Sequence, residues 1–214
     1  MSNVVSLTIN PVHEYSIPHF FGEEHFPRLK KLSLHDTFGK SALFTHLNLW
    51  KFHRGVNFMS LTLDRTLIKP DFAERIAFHL FPHVKKFDLS ILLISNGIEF
   101  ARLANRAIAP FHLWKLEEGN LVINFIRKSA SLVAVLKNVS SWKGVKTIVF
   151  EATHVTQEDF SGHVQDIILY SGGFKSVKIS GSVKGKLLKR FQSEFEANGG
   201  PIKLTGGVHR KPYM

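Results

Sequence analysis

One spacing of apolar residues recurs along this 214-residue chain and constrains its fold more than any other feature. In the stretch Phe81–Ser90, the apolar residues Val84, Phe87 and Leu89 occupy the first, fourth and sixth positions of a short pattern. The pattern begins at residues 4, 29, 58, 84, 111, 145 and 174, and a weaker copy follows at residue 202. The seven starting positions are separated by 25, 29, 26, 27, 34 and 29 residues. This period is typical of a solenoid, in which each repeat packs mainly on its neighbours.

The pattern predicts strands that alternate with helices. Strands are expected at residues 1–10, 29–35, 58–64, 84–90 and 111–116, and where the pattern returns at 145, 174 and 202. Helices are expected at residues 71–80, 96–108, 120–136 and 184–197. The apolar density of residues 120–136 also fits a strand, and residues 44–49 carry the spacing of an extra strand. Alternating strands and helices predict an α/β fold with a parallel sheet.

The chain is strongly basic, with a formal charge of +11 and a pI near 9.9. Such a charge attracts anionic partners, namely nucleic acid, acidic protein surfaces or anionic lipid. Lysines that only keep the surface soluble would give the same total. The absence of cysteine excludes disulfides and thiolate chemistry. No signal peptide and no apolar run of about 18 residues is present, which predicts no membrane partner and an intracellular location, cytoplasmic or nuclear.

No motif indicates catalysis, a cofactor or a metal. Residues 181–186 contain two glycines and two lysines but lack the spacing of a phosphate-binding loop, and no nucleophile elbow occurs. His13, His19 and His25 are six residues apart, which is not the spacing of a zinc site. We therefore expect a protein that is not an enzyme and that needs no cofactor or metal.

Two segments resemble a known repeat family. Phe26–Thr37 and Phe81–Ser90 resemble the irregular leucine-rich repeat in the substrate-receptor region of F-box proteins. In that family a polar residue follows the last strand leucine by three positions and bonds the turn that it closes. That position holds Thr37, Thr66, Thr153 and Ser182, but it holds unsuitable residues at Val12, Leu92 and Gly119.

The resemblance implies a leucine-rich-repeat solenoid of about seven or eight irregular repeats over residues 1–205, followed by a basic, flexible tail at 206–214. A curved parallel sheet would line the concave side, with helices on the convex side. No F-box segment is found in the chain. Because the chain begins almost directly in a predicted strand, we expect one of three cases: a fragment, a degenerate relative, or a chain whose N-terminus is capped by another chain.

Residues between the apolar positions of each strand would face the concave surface, because side chains alternate along a strand. Lysine recurs there on five predicted strands and would form a basic stripe. The candidate partner-binding residues are Lys30, Lys31, His35, Lys85, Lys86, Asp88, His112, Lys115, Lys146, Lys175 and Lys178.

These features predict a non-enzymatic protein-recognition module that binds an acidic protein partner, like the substrate receptor of a ubiquitin ligase. The alternative is a basic structural or assembly subunit of a ribonucleoprotein or another large complex. RNA recognition would favour aromatic rings between the lysines, because bases stack on rings. Most of the 19 phenylalanines instead fall at core positions of the repeat.

Overall fold

A single parallel sheet of eight strands organises the protein, and the strands lie side by side in the order in which they occur in the chain. The computed structural model describes residues 3–9, 22–35, 50–64, 73–92, 98–126, 128–152, 160–181 and 185–206. The strands are β1 (Ser6–Ile9), β2 (Lys31–His35), β3 (Phe58–Asp64), β4 (Lys86–Leu92), β5 (Glu118–Ile126), β6 (Val145–Ala152), β7 (Ser176–Gly181) and β8 (Ile202–Gly206). The sheet is open, with β1 and β8 as its edges. The predicted α/β class with a parallel sheet is confirmed.

Helical segments connect the strands. Those described are a π-helical turn at Arg75–Leu80, α1 (Ile98–Ile108), a 3-10 helix at Ala109–Leu113, α2 (Ser129–Ser140), α3 (Val164–Ser171) and α4 (Gly185–Ala197). The predicted helices at 96–108 and 184–197 are confirmed over the parts that the structure describes. Among the described residues, no helix is both long enough and apolar enough to cross a membrane.

The core lies on one face of the sheet, because apolar residues alternate with polar ones along the strands. In β4, Phe87, Leu89 and Ile91 are buried, whereas Asp88 and Ser90 between them are half-buried. The buried strand residues and the buried residues of the helical segments form one hydrophobic cluster. Each large apolar side chain buried in this way stabilises the fold by about 1.5–3 kcal/mol. The other face, called here the open face, carries exposed or half-buried side chains.

The predicted strand at 111–116 is wrong. Residues 109–113 form a 3-10 helix with Pro110 near its start, where a missing N–H costs nothing. Phe111 and Trp114 are buried together, with ring centroids 5.0 Å apart. The indole Nε1 of Trp114 donates a hydrogen bond to the carbonyl oxygen of Ala77, at 3.2 Å. The aromatic pair therefore anchors a helical turn in the core.

The predicted helix at 120–136 is also wrong over its first half. Residues 118–126 form β5, and the helix α2 begins only at Ser129. Leu121 and Ile123 are buried while Val122 and Asn124 are half-buried, which is the two-residue alternation of a strand. The strand that the apolar density of this segment also allowed is therefore the correct assignment for its first half.

Several predictions concern residues outside the described ranges. They are the polar positions Thr37, Thr66, Thr153, Ser182 and Val12, the extra strand at 44–49, His13 and His19, and the tail beyond residue 206. The helix predicted at 71–80 can be followed from Ala73 only. The remaining strand predictions agree with the observed strands to within a few residues at each end.

Candidate binding surface

The register of the parallel strands arranges the open face in rows. One row joins Thr8, Ser33, Ser60, Asp88, Asn120, Thr147 and Ser176 across seven strands. The next row joins His35, Thr62, Ser90, Val122, Val149, Lys178 and Lys203. Neighbouring strands lie about 4.8 Å apart, so side chains in a row can contact each other directly.

Hydrogen bonds fix some side chains within these rows. Nδ2 of Asn120 donates to Oδ1 of Asp88 at 2.8 Å, and Nδ1 of His35 lies 2.9 Å from Oγ1 of Thr62. Asp88 is therefore held by its neighbour on the next strand, and it leaves a second carboxylate oxygen on the open face. His35 and Asp88 both lie on this face, as the sequence predicts.

Two of the predicted lysines are neutralised by acidic residues on the next strand. Nζ of Lys85 lies 2.9 Å from Oε1 of Glu117, and Nζ of Lys86 lies 3.3 Å from Oε2 of Glu118. The hydrogen bond from Lys85 and then its positive charge lower the pKa of the Glu117 carboxyl. These exposed ion pairs interrupt the basic stripe at the middle of the sheet, so the charge is not continuous across the face.

His112 and Lys115 are not on the open face, in contrast to the prediction. His112 belongs to the 3-10 helix and stacks on the ring of Trp142, with centroids 4.8 Å apart. Burial lowers the pKa of the His112 ring. Lys115 is exposed in the turn that leads into β5. The prediction places both residues on the face because it takes residues 111–116 as a strand, whereas the strand begins at Glu118.

Three predicted lysines lie just before a strand, at the rim of the sheet and not within a row. They are Lys30, Lys85 and Lys175, and all three are exposed. The carbonyl of Lys30 accepts hydrogen bonds from the backbone N–H groups of Asn57 and Phe58, which joins the entrances of β2 and β3. Lys31, one residue later, is exposed on the face.

Lys146 sits at an irregularity in the pairing of β5 with β6. The register passes from Gly119 opposite Val145 to Asn120 opposite Thr147, which leaves Lys146 as an extra, exposed residue. Its carbonyl accepts a hydrogen bond from the backbone N–H of Lys175 at 2.8 Å. The two lysines therefore lie at adjacent strand entrances.

Lysines without a described ion pair lie at both ends of the sheet: Lys30 and Lys31 lie at the β2 end, and a larger group lies at the β6–β8 end. Lys146, Lys175, Lys178 and Lys203 form this group, called here the C-terminal lysine cluster. All four side chains are exposed, and none forms an ion pair with an acidic residue in the described part of the chain. Lys203 is absent from the predicted set, although its place between the apolar residues Ile202 and Leu204 indicates the face on which it lies.

Two valines give the middle of the open face an apolar character that the sequence prediction lacks. Val122 and Val149 are neighbours in the row that ends at Lys178 and Lys203, and both are half-buried. Val122 is missing from the prediction because its strand was assigned as a helix. Val149 is hidden in a run of consecutive apolar residues, Ile148 to Phe150.

The histidines that the structure describes do not form a metal site. No group of three or more His, Asp or Glu side chains suitable for a metal occurs among the residues described. The buried His53 is occupied by backbone contacts, since Gly55 N–H donates to its Nδ1 at 3.2 Å and its Nε2 lies 3.1 Å from the Phe26 carbonyl oxygen. Such a histidine anchors a loop to the core.

Comparisons with protein-family models, with curated proteins and with solved structures found no match to this chain. Arguments about function therefore rest on the geometry and chemistry of the open face.

Proposed function

We propose that this chain is a leucine-rich-repeat type of solenoid that acts as a non-enzymatic recognition module and binds an acidic segment of a protein partner on its open face. The observation that carries the proposal is the combination on one face of apolar residues at the centre and lysines without described ion-pair partners toward its ends, most of them at the β6–β8 end. A protein partner matches this combination, because protein interfaces pair an apolar centre with charges that steer association.

The repeat assignment draws support from the regular spacing of paired strands. Residues that are opposite each other in β1 and β2 are 25 positions apart, and the corresponding steps for the next two pairs are 27 and 28. The step from β4 to β5 is 32, and the step from β7 to β8 is 25. Short, similar steps between consecutive neighbouring strands are the arrangement expected of stacked repeats.

A protein partner suits the face better than RNA does. Among the strand residues whose side chains the structure describes, Phe58 is the one phenylalanine, tyrosine or tryptophan on the open-face side, and it is half-buried. Phe87 of β4 and Phe150 of β6 are in the core, and the exposed ring of Phe78 belongs to the π-helical turn and not to a strand. Without a series of exposed rings the face lacks the stacking platform used for single-stranded RNA. The receptor role in a ubiquitin ligase is the specific version of this proposal that the family resemblance implies.

The test is affinity capture from native extract, with and without nuclease, by the wild-type chain and by two charge-reversal variants. The face variant carries Lys178→Glu and Lys203→Glu. The matched control carries Lys128→Glu and Lys189→Glu, which change the charge equally at two exposed positions, the N-cap of α2 and the helix α4. The binding constant of the captured partner is then measured with purified components.

We expect the wild type and the control to capture the same acidic protein after nuclease treatment, and the face variant to lose it. Recovery of a ligase adaptor with it would support the receptor role. Capture by the face variant at unchanged affinity would refute the proposal. Capture that disappears on nuclease treatment and falls steeply with salt would favour the ribonucleoprotein alternative.

A further inference from the structure

Lys178 and Lys203 form a pair of like charges that no described neighbour compensates. They are opposite each other in the register of β7 and β8, and both are exposed on the open face. Like charges in directly opposite positions of a sheet destabilise it. On the other side of Lys178 the residue in register is Val149, and β8 is an edge strand of the sheet. The pair therefore receives no negative charge from its row.

The lysine pair Lys85 and Lys86, in contrast, has acidic partners. Lys86 has Glu118 directly opposite in register and at ion-pair distance, and Lys85 has Glu117 at 2.9 Å. Glu151 lies on the same face, but it is opposite Ser180 in the next row and makes no described ion pair. The Lys178–Lys203 pair therefore remains a local site of two positive charges.

The charge of this site matches one doubly charged anion better than one carboxylate. A carboxylate carries a single negative charge and would leave one lysine uncompensated. A phosphorylated serine or threonine carries a charge of about −1.5 to −2 and three acceptor oxygens. Each lysine ammonium has three donors that can turn toward such a group. Ser176 precedes Lys178 by two residues on β7, and Thr205 follows Lys203 by two residues on β8, so each carries a hydroxyl on the same face as the pair.

From this we propose that Lys178 and Lys203 bind the phosphate group of a phosphorylated serine or threonine in the partner segment. This inference rests on the proposed function, because it names the group of the acidic partner that the open face recognises. Val149 and Val122 continue the row away from the lysine pair and provide apolar contact for the residues that flank the phosphorylated one. The partner then needs phosphorylation at one position and an apolar residue near it.

A nucleic acid does not fit this pattern as well. Its backbone presents a series of phosphates, which calls for a continuous line of cations. Here the cations of the row stop after the lysine pair, where Val149 and Val122 follow, and the lysines of β4 are already paired. The site is suited to one phosphate group and not to a run of them.

The experiment uses the full chain and three synthetic peptide libraries. The first has a fixed phosphoserine between mixed residues, the second has serine at that position, and the third has glutamate. Retention and dissociation constants are measured for the wild type, for Lys178→Gln/Lys203→Gln, and for Lys85→Gln/Lys86→Gln. The last variant removes the same charge from the same face at lysines that are already paired. Urea denaturation of each variant verifies that it is folded.

We expect the wild type and the Lys85/Lys86 variant to retain the phosphoserine library and to discriminate against the serine library. The Lys178/Lys203 variant should bind the retained phosphopeptides about tenfold more weakly for each lysine removed, because each one loses a hydrogen bond to a charged group. Its stability should not fall, since it removes a pair of like charges.

Equal binding of the glutamate and phosphoserine libraries would overturn the phosphate site and leave the proposed acidic partner intact. Retention of none of the libraries, while the acidic protein is still captured from extract, would overturn it as well. Mixed-sequence RNA that binds through Lys178 and Lys203 as tightly as the phosphopeptides do would also overturn it. Failure of both the libraries and the extract capture would refute the proposed function itself.

Discussion

Replacement of Gly144 by alanine should destabilise the protein more than any other glycine-to-alanine change discussed here. Gly144 leads into β6 with a φ of 95°, which side-chain-bearing residues rarely adopt. A Cβ at this position would clash with the carbonyl oxygen of Leu116 and lie 2.7 Å from its carbonyl carbon. These are backbone atoms, so the clash cannot be relieved by turning a side chain.

Two other glycines separate the contributions of strain and clash. Gly199 has a φ of 64° but an added Cβ would meet nothing within 4 Å, whereas Gly173 has open space and no positive φ. Gly173→Ala should change stability by less than about 0.5 kcal/mol. Gly199→Ala should cost about 1 kcal/mol for the left-handed conformation alone. Gly144→Ala adds a backbone displacement to that strain, and we expect a total of about 3 kcal/mol or more.

The assay is urea denaturation of the three variants and the wild type, with the free energy of unfolding extrapolated to water. If Gly144→Ala lowers the free energy of unfolding by an amount within about 0.5 kcal/mol of the decrease caused by Gly199→Ala, the close approach of this turn to Leu116 is refuted. The result also tests the position of the segment that enters β5. Leu116 is followed by Glu117 and Glu118, which form the ion pairs with Lys85 and Lys86.

Three further predictions concern the core, the buried histidine and the sheet edge. Phe87→Ala should lower the free energy of unfolding by about 3–5 kcal/mol, because Phe87 is buried against the rings of Phe111 and Trp114; a loss under about 1.5 kcal/mol in urea denaturation would contradict this packing. Burial lowers the pKa of His112 below its ordinary 6.5, so the unfolded chain takes up the proton first and stability falls as the pH drops through 6.5. His112→Gln should make this fall between neutral and acidic pH smaller, and an identical pH profile would contradict it. Gln192→Ala should cost about 1 kcal/mol by urea denaturation, because Oε1 of Gln192 accepts the backbone N–H of Leu204 at the edge strand β8, at 2.9 Å; unchanged stability would show that this N–H needs no such partner.

The strands with a clean alternation could be predicted from the sequence because burial of one face is a local signal. Leu32 and Leu34 in β2 are fully buried, with Ser33 between them only half-buried. In β4 the same alternation continues for seven residues. A two-residue period can be satisfied only by a strand with one face in the core, so no knowledge of the partner strand was needed.

The segment from Phe111 to Ile126 could not be assigned in this way. Spacings of three residues between apolar positions fit a helical turn as well as the repeat pattern, and Phe111 and Trp114 satisfy both. What decides between them is the contact of the two rings with each other and with Phe87, and the hydrogen bond from Trp114 to Ala77. Those contacts join residues between 3 and 37 positions apart, and most of them cannot be inferred from a local window.

This one misplaced strand also changes the expected function of the open face. With β5 at residues 111–116, Glu117 and Glu118 fall in a loop beyond the strand, and Lys85 and Lys86 become the centre of a basic stripe. With β5 at Glu118–Ile126, Glu118 lies opposite Lys86 and Glu117 reaches Lys85, so the charge at the centre cancels. Which of the predicted lysines remain available depends on this register. Because register pairs Lys85 and Lys86 but leaves Lys178 and Lys203 opposite each other, binding should respond to substitution at the β7–β8 end of the sheet and hardly at all at Lys85 and Lys86.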